Sequence, residues 1–116
     1  MTRTFIMTKE FDACWKNLHL GDDELKLLQE DLLSQPDAGD RISGTGGIRK
    51  YRIPMEGRGK SGGARVCYLD IPSACKLYLL IAYAKNEREN ISMKERNALK
   101  DLSQQLKRLN TLRGRT

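Results

Sequence analysis

Six cations crowd into residues 47–68, GIRKYRIPMEGRGKSGGARVCY: Arg49, Lys50, Arg52, Arg58, Lys60 and Arg65, against the single acid Glu56. Guanidinium and ammonium groups at this density are the side chains that neutralise phosphate, Arg through a planar fork and Lys as a point charge. The middle of the stretch, GRGKSGG, invites comparison with a nucleotide cradle, and the comparison fails. A P-loop that ends in Gly59-Lys60-Ser61 requires glycine at position 54, where this chain has Pro54. Such a loop must also open a helix whose N-terminus meets the phosphates, whereas this one runs into the strand-like GGARVCY. The upstream GTGGIR is no dinucleotide fingerprint either, because Arg49 stands where its third glycine belongs.

Strand geometry gives the cations a different meaning. Alternation along IRKYRI (48–53) sends Lys50 and Arg52 to one face and Arg49 to the other. If the next strand sets Arg65 beside Lys50 and Arg52, three cations share one surface. Like charges opposed across a sheet are destabilising, and a polyanion relieves the repulsion. The lone His19 excludes any mechanism that needs two histidines for acid and base. Cys14, Cys67 and Cys75 are odd in number and lack C-x-x-C spacing, so they read as reduced, core-filling thiols rather than a zinc site or a disulfide framework. No metal or other cofactor is expected.

The elements that must position these residues follow from the hydrophobic pattern. With 116 residues the chain has room for one domain, 1–116, with one core. RTFIM (3–7) is a short strand. TKEFDACWKNL (8–18) is helical, capped by Thr8, with Phe11, Cys14, Trp15 and Leu18 on one face. A second helix opens at Asp22 or Asp23, buries Leu25, Leu28, Leu32 and Leu33, and stops at Pro36. Strands follow at 48–53, 63–70 and 76–84, with connections so short that an antiparallel meander is expected. SMKE (92–95) is a capping box that starts a last helix with Leu99, Leu102, Leu106 and Leu109 in register and a basic tail from about 107 to 116. The order β-α-α-β-β-β-α predicts an α+β domain with helices on one face of an antiparallel sheet.

Charge is unevenly spread along this frame. Residues 1–47 hold 5 Lys or Arg against 9 Asp or Glu, residues 48–88 hold 9 against 3, and residues 89–116 hold 7 against 3. A basic centre and C-terminus point to a polyanionic partner. The N-terminus has no sustained apolar region of a secretory signal, and the longest apolar run, LYLLIAYA (77–84), is too short to span a bilayer. A cytoplasmic protein without membrane contact is expected.

The segments GTGGIRKYRI, GRGKSGGARVCYLD and LYLLIAYAKNERENIS together resemble the RelE/HigB toxins of bacterial type II toxin–antitoxin modules, in the HigB branch that bears a GKSGG loop. The resemblance implies a compact microbial-ribonuclease-like fold and an endonuclease that cuts mRNA on the translating ribosome. It places the family's strand-borne cations on Lys50, Arg52 and Arg65, its later basic residue on Lys85, and its acid–base or stacking aromatic on Tyr83. Arg49, Arg58, Lys60 and Asn86 are then RNA-backbone contacts. In that chemistry a ribose 2′-hydroxyl attacks the adjacent phosphorus, and fixed Arg and Lys donors stabilise the charge on the phosphorane. Lys50 serves as a point charge or as a base. The implied partners are the 70S ribosome, mRNA and a cognate helix-turn-helix antitoxin of HigA type, with operator DNA reached only through the antitoxin. Two alternatives share the residues: a ParE-like gyrase-inhibiting toxin on the same scaffold, and a non-catalytic basic module that binds RNA or the ribosome.

Overall fold

A computed structural model describes residues 2–54, 63–85 and 90–113, with side chains through Thr111. Its elements run β1 (Thr4–Met7), α1 (Lys9–Asn17), α2 (Asp22–Ser34), β2 (Asp40–Arg41), β3 (Arg49–Ile53), β4 (Ala64–Ile71), β5 (Lys76–Ala84) and α3 (Met93–Arg113). The five strands form one sheet in the order β1-β5-β4-β3-β2. The α+β class is as expected, with three differences in its build.

The sheet is mixed. The β2–β3, β3–β4 and β4–β5 pairs are antiparallel, but β1 lies parallel to β5. Short connections dictate antiparallel pairing only between consecutive strands. β1 reaches β5 after most of the chain has intervened, so its direction is not constrained in that way. The two-residue β2, hidden in the turn-rich PDAGDRISGTGG, is the second difference.

Helices cover both faces of the sheet rather than one. On the first face Phe11 and Trp15 of α1 and Leu28 and Leu32 of α2 pack on Val66, Tyr68, Leu77 and Leu79. On the second, Leu99 of α3 packs with Cys67, Leu69, Leu80 and Tyr83. Burial on both faces explains why β5 reads as a nearly unbroken apolar run, since a half-exposed strand would alternate.

Local chemistry fixes each helix. Thr8 caps α1 by accepting from the Phe11 N–H at 3.0 Å, and its hydroxyl donates to the Leu80 carbonyl at 2.8 Å, so the cap also docks the helix on β5. Phe11 and Trp15, one turn apart, stack with centroids 5.2 Å apart. At α3 the Ser92 hydroxyl accepts from the Glu95 N–H at 3.1 Å, and the Glu95 carboxylate accepts from the Ser92 N–H at 3.0 Å. This is the reciprocal capping box read from SMKE. Leu109 is 43% exposed, outside the expected stripe. The buried neighbour Asn110 replaces it, donating to the Tyr78 hydroxyl at 3.0 Å.

The three cysteines are free, with Cys67 buried, Cys14 half-buried and Cys75 exposed in a left-handed turn at φ 55°. Among the described residues no helix is long and apolar enough to cross a membrane.

Candidate functional site

The β3–β4 ladder sets Arg52 directly opposite Arg65, and β5 sets Tyr83 opposite Arg65 on its other side. Lys50 lies two residues along β3 from Arg52, on the same face. Lys50, Arg52 and Arg65 line one cleft of about 390 Å³, whose further wall is the segment Ala38-Gly39-Asp40. Two guanidinium groups facing each other across a ladder cost the fold free energy. The Nη1 of Arg65 is moreover buried and has no hydrogen-bond partner among the described residues. A buried donor without a partner costs about 1–3 kcal/mol, and an anion in the cleft would relieve both costs.

Three residues outside the cation cluster build and brace the wall, and no local pattern in the chain points to them. Tyr68, fully buried, donates its hydroxyl to the Pro36 carbonyl at 2.7 Å and accepts from the Gly39 N–H at 3.0 Å. Gly39 lies so near β3 that a Cβ there would come within 2.9 Å of both the Lys50 carbonyl oxygen and Tyr68 Cε1. Asp40 stands directly opposite Lys50 in the β2–β3 ladder and is the one acidic residue lining the cleft among the described residues. A two-residue strand is too short for periodicity to reveal, and only a fold that brings 36–41 back against β3 gives these residues a role.

Arg49 points to the other face of the sheet. Its Nη1 donates to the Gly39 carbonyl at 2.7 Å and more weakly to that of Asp37 at 3.3 Å. It therefore ties the wall to β3 from behind. Tyr83 is 4% exposed and packs in the α3-side core, next to Arg65 in the ladder rather than lining the cleft. Lys85 is half-buried just past β5, its N–H bonded to the Gly63 carbonyl at 2.9 Å. Arg58, Lys60 and Asn86 lie outside the described residues. Among the described residues no group of His, Cys, Asp or Glu is placed to hold a metal ion.

The tyrosines that brace this region give a pH signature. Burial pushes the Tyr68 phenol above its ordinary value of 10.0, partly countered by the Gly39 hydrogen bond. Burial also raises Tyr51, and the carboxylate of Asp31, which accepts from its hydroxyl at 3.2 Å, raises it further. The folded state thus holds these protons more tightly than the unfolded chain. The stabilisation is complete below the unfolded value near 10 and is lost as pH climbs through the folded values. Urea midpoints are expected to be flat from about pH 8 to about pH 10 and to fall above it, less steeply in Tyr68→Phe than in the wild type.

Fold and site together define a small α+β protein whose sheet carries a cleft lined by Lys50, Arg52 and Arg65. The sequence profile of the RelE toxin of the RelE/RelB toxin–antitoxin system matches residues 2–113, and the chain belongs to the RelE toxin family. The structure of E. coli toxin RelE, solved as an arginine-to-alanine double mutant in the free state, is similar to it with a TM-score of 0.56. That likeness has 18% sequence identity and covers 77% of this chain and 90% of that one. The mixed sheet with its three helices is the RelE toxin fold.

Proposed function

We propose that the protein is the toxin of a type II toxin–antitoxin pair and cleaves mRNA on the translating ribosome. The observation that carries the reading is the Arg52–Arg65 pair, opposed in the ladder with Lys50 in the same cleft and a buried Arg65 donor left open. A phosphodiester seated there gains charge as the 2′-oxygen bonds to phosphorus. The bond from phosphorus to the 5′-oxygen then breaks, leaving a 2′,3′-cyclic phosphate and a 5′-oxygen that takes a proton from water to become the 5′-hydroxyl. Arg52 and Arg65 stabilise the phosphorane oxygens and Lys50 adds a point charge. Asp40, across the ladder from Lys50, is the carboxylate available to accept the 2′-hydroxyl proton.

Buried Tyr83 acts by supporting Arg65, and Lys85 contributes charge at the end of β5. Arg58, Lys60 and Asn86 contact the RNA backbone. With no second histidine in the chain, proton transfer is weakly assisted, which suits an enzyme that relies on the ribosome to align its substrate. Alignment of this kind supplies about 7–11 kcal/mol in favourable cases. The GKSGG loop at 59–63 favours the HigB branch, and with it a HigA-like helix-turn-helix antitoxin and a cytoplasmic site of action.

Primer extension on a translated mRNA after brief induction tests the reading. Codon-phased cuts are expected, and they should vanish when the start codon is removed from the same transcript. Intact mRNA under growth arrest would defeat the proposal, and arrest accompanied by gyrase inhibition would replace it with a ParE-like activity.

A further inference from the structure

A second and larger cleft, of about 950 Å³, lies at the opposite end of β3, where the loop 43–47 meets the end of β4 and α3. Its charged lining is Arg3, Asp37, Arg41, Arg49, Asp70 and Lys107. Arg3 and Asp70 satisfy each other through two bonds, at 2.7 and 3.2 Å, so they contribute little net charge. Arg41, Arg49 and Lys107 remain against Asp37. Arg49 spends Nη1 on the wall carbonyls, and Lys107 donates to the Gly46 carbonyl. Arg41 is exposed.

The loop itself suits an anion. Gly44, Gly46 and Gly47 have φ of 75°, 75° and 108°, while Ser43 and Thr45 do not take positive φ. Alternation of this kind turns successive backbone N–H groups toward one concavity. The loop is also held rigidly, since the buried Ser103 hydroxyl donates to the Thr45 carbonyl at 2.7 Å.

Position identifies the ligand. The two clefts share one ridge: Ala38, Gly39 and Asp40 line the first, while Pro36, Asp37 and Arg41 line the second. Arg41 pairs with Arg49 one step beyond the Asp40–Lys50 pair and three steps from the level of Arg52 and Arg65. At about 3.3 Å per residue, that is roughly 10 Å along β3. Arg41 leaves the sheet on the face of Arg49, so RNA seated at Arg52 and Arg65 reaches it by passing over the edge strand β2. We infer that the second cleft binds another phosphate of the RNA whose scissile phosphate sits between Arg52 and Arg65. The inference rests on the endonuclease reading for the first cleft.

The test is equilibrium binding of the full chain to a short, fully 2′-O-methylated RNA, which cannot be cut, between about 50 and 200 mM salt. The double variant Arg41→Gln/Lys107→Gln leaves Arg49 and the wall in place. Its affinity is expected to fall at least about tenfold, as for loss of one charged hydrogen bond or more. The slope of log K against log salt should shrink by about 1.4, the value for two lost contacts to a single strand.

Inorganic phosphate, titrated alone with amide shifts of residues 43–47 as readout, separates the sources. Saturation by phosphate with RNA binding unchanged in the double variant would overturn the inference, because the cleft would then serve a free anion. Unchanged RNA binding with lost neutralisation by the antitoxin would overturn it in favour of an acidic protein segment. If Arg65→Ala weakens RNA binding and the double variant does not, only the second site falls. If the wild type binds no RNA, the reading of the first cleft falls with it.

Discussion

Replacing Arg65 by alanine is expected to reduce mRNA cleavage on programmed ribosomes by about 10²–10³-fold, the usual cost of removing one preorganised donor from a transition state. Ribosome binding should stay measurable, because the remaining cations still meet RNA phosphate. Stability should not fall in step. The substitution removes a like-charge pair across the β3–β4 ladder, a relief of about 0.2–1 kcal/mol, and a buried donor that has no partner among the described residues. Against this stands the lost packing of the aliphatic stem. The unfolding midpoint is therefore expected to stay at or above that of the wild type while activity collapses. Arg65→Lys separates charge from geometry: it keeps the charge but loses the fork, and should restore only part of the rate. Cleavage by Arg65→Ala within about threefold of wild type would show that Arg65 does not touch the transition state.

The pairing of lost activity with kept stability matters because a damaged fold would lose both. Arg52 and Arg65 are a local conflict in an otherwise consistent sheet, and such conflicts are where a functional site is expected. The surrounding residues show why the conflict persists. β4 and β5 are buried on both faces by the two helical layers, so the register that opposes the arginines is fixed by the core rather than by the charges themselves. A one-residue slip would carry Val66 and Leu79 to the α3 face and turn Arg65 into the apolar α1–α2 face.

That same logic explains what could be read from the chain. Lys50, Arg52 and Arg65 were legible because strand alternation is a local property, and IRKYRI with GARVCY states it twice. Their meeting needed one register, which the apolar residues of β4 specify. The helices were legible through caps, Thr8 and Ser92, that act within one turn. Two features were not. The placement of α3 on the opposite face depends on the second apolar surface of β4 and β5, and a continuous run such as LYLLIAYA does not say which helix covers which side. The parallel β1–β5 pair joins residues about 72 apart in sequence, and no local pattern encodes a contact of that range. Tyr83 shows the limit for chemistry: the family resemblance offers it as an acid–base or stacking group, and only the register reveals that it sits in the α3-side core beside Arg65.

The wall of the cleft offers the sharpest test of how the fold controls the site, because it can be moved without touching a charge. Gly39→Ala adds one methyl group where the Lys50 carbonyl oxygen and Tyr68 Cε1 would each lie 2.9 Å away. Neither can retreat easily: one is backbone of β3, and the other belongs to a fully buried ring. Overpacking of this kind costs about 1–3 kcal/mol. If the segment lifts instead, the Tyr68 hydroxyl loses Gly39 and Pro36 and Arg49 loses the Gly39 carbonyl. Either response is expected to lower the melting temperature by roughly 4–8 °C per kcal/mol. Because Gly39 and Asp40 form the wall opposite Lys50, cleavage should drop by about tenfold or more, with the fold still intact by circular dichroism at lower temperature; a displacement of even about 1 Å costs up to 10²-fold. Tyr68→Phe, which keeps the ring and removes both hydroxyl bonds, should fall between this variant and the wild type in both measurements. Wild-type stability and cleavage in Gly39→Ala would mean that the 36–40 segment does not hold the cleft in shape.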